Sequence, residues 1–474
     1  MTSQIFLARK SIFCILAITG GSFAVAAAQA IRPNIVMVVS DDQGYGDASC
    51  YWKTDLNTPV MDSVARRGVR FTQFRVNPLC APTRASLMTG LYSLEAGMWR
   101  GPGRLERGPK PEGGWPSDAR RIRDEVLLLP QYLKKAGYAT GIFGKWHLGY
   151  DPNNVPNARG FDEFVGFLGG AHPYCPRSAS QLQRNGQPLE TDKHTTDLFA
   201  DEAIRFIHEN AARPFFCYVP FNAIHGPLRN AERPRDSGKP EWLARYAANS
   251  VAQPRRDYCA VMSHADARVG DILTALRQLG LERRTLVIYV SDNGGILDKY
   301  PSNNGPFRGG KGQTYEGGIR VPAVMQWPAV IPAGTVSRAA TVHFDIFATI
   351  LDAAALAIPK TNGGYAVSGQ SLLSHLRSGA KIGLPDRYLF WDLYGKQAAL
   401  HGAWKLIGEL PNHRGDFRRA MADAADADFK LYNLKTDPSE QRDLAAEYTD
   451  IYTDLKRRHI EWLGAVALRS RKKL

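Results

Sequence analysis

Cys80-Ala81-Pro82-Thr83-Arg84-Ala85-Ser86-Leu87-Met88-Thr89-Gly90 decides how this chain is read. The run before it, residues 69–76, is β-rich, and Asn77-Pro78 makes a turn. The stretch then predicts a helix opening at Cys80, with Pro82 in the first turn, where a missing N–H costs little. A helix start directs free N–H groups and a positive dipole end at whatever lies in front of it, and so favours an anion. Cys80 and Arg84 are four apart, which puts them on one helix face. A sulfur nucleophile precursor, a fixed cation and an anion-favouring helix end therefore converge. A helix start that merely buries a cysteine is the competing explanation, because Cys-x-Pro-x-Arg is too short to be specific alone. Residues elsewhere in the chain decide between them.

Asn-Ile-Val-Met-Val-Val-Ser, residues 34–40, is a β-branched and apolar run that predicts a strand buried on both faces, as in a parallel sheet. It ends in Asp41-Asp42-Gln43-Gly44-Tyr45-Gly46. Two carboxylates at the carboxyl end of a buried strand lie where open α/β sheets place ligands, and a cation would relieve their repulsion. A polar loop with one capping Asp fits that dipeptide equally well. Residues 285–290, Thr-Leu-Val-Ile-Tyr-Val, repeat the pattern and run into Ser291-Asp292-Asn293. Residues 138–143 predict a strand leading to Lys145 and His147, which an extended chain would project to one side. A further strand is expected over 214–221, with His225 just beyond it. The glycine-rich run 308–318 lets backbone approach a ligand and leaves Lys311 as its charged head. If these strand ends share one sheet edge, Asp41, Asp42, Asp292 and the amide oxygen of Asn293 make an all-oxygen set. Such a set favours Ca²⁺ or Mg²⁺ over zinc, and no zinc-type Cys/His spacing occurs.

A chain of 474 residues is too long for one ordinary core and predicts a large α/β domain with a smaller companion. With 44% apolar and 22% charged residues it is globular rather than disordered. Arg9-Lys10, an apolar run over 11–28 and Ala28-Gln29-Ala30 read as a cleaved signal peptide, with the mature chain starting at Ile31. A membrane anchor is the rival, but Gly20-Gly21 breaks a run already short for a span. Bulky Phe13 before Cys14 argues against a lipoprotein cysteine. The expectation is a secreted or periplasmic protein without stable membrane insertion. The formal charge is +14, and losing Arg9 and Lys10 leaves +12. That excess suggests a polyanionic substrate or partner, with simple solubility as the alternative. Nucleic acid is not expected, since no basic helix or Arg-rich tract occurs. With Cys80 set aside, Cys50, Cys175, Cys217 and Cys259 allow at most two disulfides of unread pairing. Cys217, in an apolar run, reads as a buried strand cysteine.

Helices are expected over 58–67, 124–136, 198–208 and 258–279, with Asp266 on the last as a surface or capping residue. A surface loop is expected over 100–121 and an insertion over 161–192, which holds Cys175; 229–256 reads as irregular. Beyond about residue 384 the texture changes. Short strands at 389–393, 397–407 and 429–433, a closing helix at 448–467 and a frayed basic tail at 469–473 suggest a small antiparallel α+β unit. The predicted fold class is α/β: a large mixed, mostly parallel sheet flanked by helices, plus the smaller C-terminal α+β domain. The division expected is signal peptide 1–30, catalytic domain 31–375 and C-terminal subdomain 376–474.

Cys80, Pro82, Arg84, Leu87, Thr89 and Gly90 match Cys-x-Pro-x-Arg followed by Leu-x-Thr-Gly, and the chain resembles the formylglycine-dependent, arylsulfatase-like sulfatase family of the alkaline-phosphatase-like superfamily. The likeness runs from about Pro33 to Pro328 and resumes from Leu431-Tyr432-Asn433-Leu434 to Asp437-Pro438. Leu91 stands where many members carry a basic residue. The resemblance implies hydrolysis of sulfate esters by a formylglycine made from Cys80 by a maturation enzyme. It implies that Asp41, Asp42, Asp292 and Asn293, with residue 80, hold Ca²⁺ or Mg²⁺. Arg84 and Lys145 would stabilise the formylglycine hydrate, and His147, His225 and Lys311 would surround the sulfate group. The implied substrate is a sulfated polysaccharide or a sulfated small molecule such as an aryl sulfate. A phosphomonoesterase or phosphodiesterase of the same superfamily is the nearest alternative. A non-catalytic sulfated-glycan-binding protein is the other, and it would require a lost ligand or nucleophile.

Overall fold

The computed structural model describes Met1, residues 32–99, 121–176, 181–226, 228, 238–246, 251, 253–298, 301–412 and 416–471. The expected signal peptide and residues 100–120 of the expected loop lie outside the described residues, as do 229–237, 247–250 and 252 of the stretch 229–256.

Ten strands form the main sheet: β1 Asn34–Ser40, β2 Val69–Phe71, β3 Ala139–Lys145, β4 Glu163–Phe167, β5 Gln183–Arg184, β6 Gln187–Pro188, β7 Phe215–Pro220, β8 Thr285–Ser291, β9 Ala323–Gln326 and β10 Thr335–Ser337. Their order is β10-β2-β9-β8-β1-β7-β3-β4-β5-β6. The central run β8-β1-β7-β3-β4 is parallel throughout, while β9 and β5 run the other way. The apolar run of β1 explains its central place. Ile35, Met37 and Val39 join one core and Val36 and Val38 the other, so both faces are covered. On the first face lie α2 Cys80–Thr89, α3 Leu129–Lys135 and α6 Phe344–Ala353; on the second lie α1 Pro59–Arg67, α4 Thr195–Glu209 and α5 Arg255–Gln278.

A second, four-stranded antiparallel sheet follows: β11 Leu389–Leu393, β12 Lys396–His401, β13 Trp404–Glu409 and β14 Lys430–Asn433. One face, with Ala399, Leu406 and Leu431, packs on α7 Phe417–Asp426 and α8 Thr449–Arg471. The other, with Trp391, Ala398, Leu400 and Ile407, packs on Ile319, Val342 and Phe344 of the large unit.

Several expectations change. The helix expected over 124–136 is only α3, because Pro130 fixes its first turn and the backbone N–H of Leu128 is taken by the Gln131 side chain at 2.8 Å. The stretch over 161–192 is no insertion: β4 pairs in parallel with β3, and a small hairpin extends the sheet edge. Asp266 is 1% exposed rather than on the surface, and it caps another helix: its two oxygens accept the N–H groups of Val60 and Met61, each at 2.9 Å. The basic tail is helical through Arg471, and Arg469 pairs with Glu95. The strand expected over 397–407 is two, β12 and β13. No disulfide joins Cys50, Cys80, Cys175, Cys217 and Cys259, and Cys217 is buried in β7 as expected.

Candidate active site

The parallel register builds the site. Ser40 of β1 lies opposite Ser291 of β8, so the next residues, Asp41 and Asp292, leave the sheet side by side. β3 ends at Lys145 on the same edge, and β7 ends five residues before His225. Among these strand ends sits the first turn of α2, whose ten residues are all buried. The Cys80 sulfur and carboxylate oxygens of Asp41 and Asp292 lie within 4.8 Å of one another.

Three carboxylates meet three cations here. Lys145 Nζ lies 2.6 Å from Asp41 Oδ2. Arg84 forks onto Asp292 Oδ2 through Nε at 2.9 Å and NH2 at 2.8 Å, and donates through NH1 to the Lys145 carbonyl at 3.1 Å. Lys311 Nζ is 2.6 Å from Asp42 Oδ1, and Asn293 Nδ2 donates to the same oxygen at 2.7 Å. His225 Nε2 is 3.9 Å from Asp42 Oδ2, and its Nδ1 pairs with the Gly226 carbonyl at 2.6 Å. Asp42 itself has a φ of 69°, which turns the chain sharply after Asp41.

Lys145 and His147 do not share one side of an extended chain. His147 has a φ of 61°, because the backbone turns after β3 and buried Trp146 is tied to the Asn154 carbonyl at 2.8 Å. The His147 ring lies against Gly170 instead, and its Nδ1 is buried without a hydrogen bond.

Burial pushes the Cys80 thiol up, although Lys145 and Lys311 oppose it, so the unmodified thiol is not an activated thiolate. Burial and the neighbouring Asp41 push Asp292 up to about 6, with Arg84 opposing. Against burial, Lys145 and then His225 and Arg84 hold Asp41 well below the usual carboxylate range. Burial, and then Lys145 and Arg84, depress His147 well below its ordinary value; burial also lowers His225, with Asp41 and Asp42 opposing.

At the centre, Asp41 Oδ1 and Asn293 Oδ1 are buried and take part in no hydrogen bond. Leaving such atoms unpaired costs free energy. Hard oxygens on crowded carboxylates therefore fit a divalent cation of the Ca²⁺ or Mg²⁺ kind. A second close trio, His194, Asp197 and His264, does not fit one. Lys239 Nζ and His264 Nε2 occupy the Asp197 carboxylate at 2.6 and 2.8 Å, and His194 Nδ1 accepts the Thr196 N–H.

Every sequence-predicted site residue is thus placed on or beside this sheet edge. Three supporting residues had no local signal. Tyr174 OH donates to the carbonyls of Asn222 and His225, each at 3.0 Å; Gly170 makes room for His147; and Lys396 Nζ, from β12, donates to the Gly312 carbonyl at 3.0 Å beside Lys311.

The sulfatase family model matches residues 33–356, and a model described as N-sulphoglucosamine sulphohydrolase, C-terminal, matches 310–463. The chain is 34% identical over 383 residues to an N-acetylgalactosamine-6-sulfatase of Canis lupus familiaris, covering 76% of this chain and 68% of that protein. It is 29% identical over 486 residues to a sulfatase of Formosa agariphila, covering 88% of this chain and 85% of that protein. Among solved structures, the crystal structure of Ps i-CgsB in complex with k-i-k-neocarrahexaose superposes with a TM-score of 0.77 at 27% identity, over 93% of this chain and 98% of that one.

Proposed function

We propose, from the premise that this chain belongs to the sulfatase family and is a sulfuric ester hydrolase, that it removes sulfate from a sulfated carbohydrate with a formylglycine made from Cys80. The observation that carries the reading is the convergence of Arg84, Lys145 and Lys311 with three carboxylates around a buried, unactivated cysteine. A cysteine hydrolase would need a thiolate there. The matured residue 80 would supply an aldehyde hydrate whose hydroxyl is the nucleophile. Asp41, Asp42, Asp292 and Asn293, with residue 80, would hold a divalent cation, Ca²⁺ or Mg²⁺. That cation would neutralise charge on the sulfuryl oxygens.

The remaining chemistry belongs to the chain's own side chains. Arg84 and Lys145 hold positive charge against residue 80 and need no reorganisation during reaction. His147, kept neutral by burial, would take a proton from the second hydroxyl on residue 80. With the Gly226 carbonyl on Nδ1, the His225 nitrogen free to exchange a proton with substrate is Nε2. His225 and Lys311 would thus serve the departing alcohol, and Lys311, held protonated by Asp42 against burial, would also grip the sulfate group.

A carbohydrate substrate is favoured by the expected mature charge of +12 and by the N-acetylgalactosamine-6-sulfatase relative and the neocarrahexaose complex. Secretion or export to a periplasm follows from the signal-peptide reading; among the described residues no helix is long and apolar enough to cross a membrane. The domain division 31–375 and 376–474 belongs to the same proposal.

The test uses protein co-expressed with a formylglycine-forming enzyme, with the aldehyde checked by peptide mass. Sulfate release from an aryl sulfate and a panel of sulfated sugars is compared with phosphate release from matched esters. Sulfate release should dominate, with Cys80→Ala at background and Cys80→Ser without multiple turnover. Faster phosphate release would favour the phosphoesterase alternative, and full turnover by Cys80→Ser would sink the formylglycine role.

A further inference from the structure

Lys311 sits in a glycine-rich loop held partly from within, where Gln313 Oε1 accepts the Gly310 N–H at 3.0 Å, and partly from outside, where the Gly295 carbonyl accepts the Lys311 N–H at 3.1 Å. Gly309 and Gly312 have φ values of 78° and 80°, and Gly310 and Lys311 lie between them. Such a run loses much backbone freedom on being fixed, so its conformation must be imposed by contacts. One contact comes from the nucleophile side: the Gly312 N–H donates to the Pro78 carbonyl at 2.8 Å. The opposing contact comes from the C-terminal sheet, where Lys396 Nζ donates to the Gly312 carbonyl at 3.0 Å.

The far end of the loop is anchored by buried charge. Glu316 accepts both Nε and NH2 of Arg75, the latter at 2.7 Å, and Lys405 Nζ at 3.0 Å. Lys405 also pairs with Glu440 Oε1 at 2.8 Å, and Glu440 Oε2 accepts the Glu316 N–H at 2.8 Å. All four side chains are fully buried. Arg75 and Glu316 belong to the large unit, and Lys405 lies on β13. Glu440 holds a φ of 55°, in the left-handed region, with Oε2 hydrogen-bonded to Glu316 and Oε1 ion-paired with Lys405. The chain entering α2 is gripped from the same side: Trp391 Nε1, on β11, donates to the Val76 carbonyl at 2.9 Å.

We propose that Lys396 and the Lys405–Glu440 pair are positioning residues for Lys311, so that the C-terminal sheet completes the sulfate-binding pocket. The proposal rests on Lys311 gripping the sulfate group. A buried charge cluster of this kind fixes register more than it adds stability, because removing one partner strands another. Lys396, half-buried and outside that cluster, is therefore the residue to test.

Lys396→Met keeps the aliphatic stem and removes the donor. Hydrogen exchange in peptides spanning 308–316 should quicken about fivefold, while exchange in β1 and β8 stays unchanged. Affinity for inorganic sulfate, measured by calorimetric titration, should fall about threefold. Lys396→Arg should restore both. Unchanged exchange over 308–316, or a rise spread through β1 and β8, would overturn the positioning role. Lys311→Ala is measured in parallel. If it binds sulfate as the wild type does, the sulfate-gripping role of Lys311 fails, whereas normal exchange in Lys396→Met with sulfate binding lost in Lys311→Ala fails the positioning role alone.

Discussion

A methyl group at Gly170 would lie 2.6 Å from His147 Nε2. Gly170→Ala should therefore push the imidazole aside and lower kcat by about tenfold to a hundredfold, the range expected for a misplaced catalytic group. Thermal unfolding should barely move, since the ring only shifts; kinetics and calorimetry on the same sample check both halves. Asn293 Oδ1 gives a second residue-scale prediction. Asn293→Ala should weaken Ca²⁺ or Mg²⁺ binding roughly tenfold in a calorimetric titration, because one hard oxygen leaves a small ligand set. Undiminished affinity would remove Asn293 from that set. Cys80, Pro82 and Arg84 were legible because the motif is local. Gly170 and Tyr174 were not, because each meets its partner only after the chain has folded back on itself. Lys145 and His147 do meet at the site, but not by strand alternation: the backbone turns at His147, and the ring still feels the charges of Lys145, Arg84 and Asp41.

Among the elements, α1 depends on a residue from α5. Asp266 satisfies two N–H groups at the start of α1, which has no side-chain cap of its own. Asp266→Ala should cost about 1–3 kcal/mol in urea unfolding, the penalty for buried donors left unpaired. Its place on a long helix left a surface position and a cap both open, and the tertiary contact settles on a cap of another helix. The central strands were readable because a strand buried on both faces writes a continuous apolar run. β4 to β6 were hidden: Glu-Phe-Val-Gly-Phe is short, and two-residue strands leave no period to detect. The start of α3 was blurred because Leu127 and Leu128 precede it without joining the helix.

For the molecule as a whole, acid should loosen the fold through its buried imidazoles. Burial pushes His343 down to about 3 and His459 down to about 4. Below pH 6.5 the unfolded chain binds protons that the folded chain refuses, so stability is full above that pH and is lost as pH falls toward 4. For His459 alone the loss approaches about 3 kcal/mol below pH 4. Urea unfolding between pH 7 and pH 4.5 should show the slope, and His459→Gln, able to keep the contact to Gln397, should flatten it; an unchanged slope would exclude His459 as a source. The two-sheet architecture was legible from the change in texture near residue 384, whereas the interlocking of the two units was not, since Lys405 and Glu440 look like ordinary charges in the sequence. One more consequence lies in the packing around Cys80, only 6% exposed in a helix buried on every side. The maturation proposed for Cys80 would have to reach it before β8 and the Lys311 loop close beside it. The proposed oxidation of Cys80 would therefore have a deadline set by the folding of residues beyond 285, and the order of events during synthesis would decide which molecules become competent.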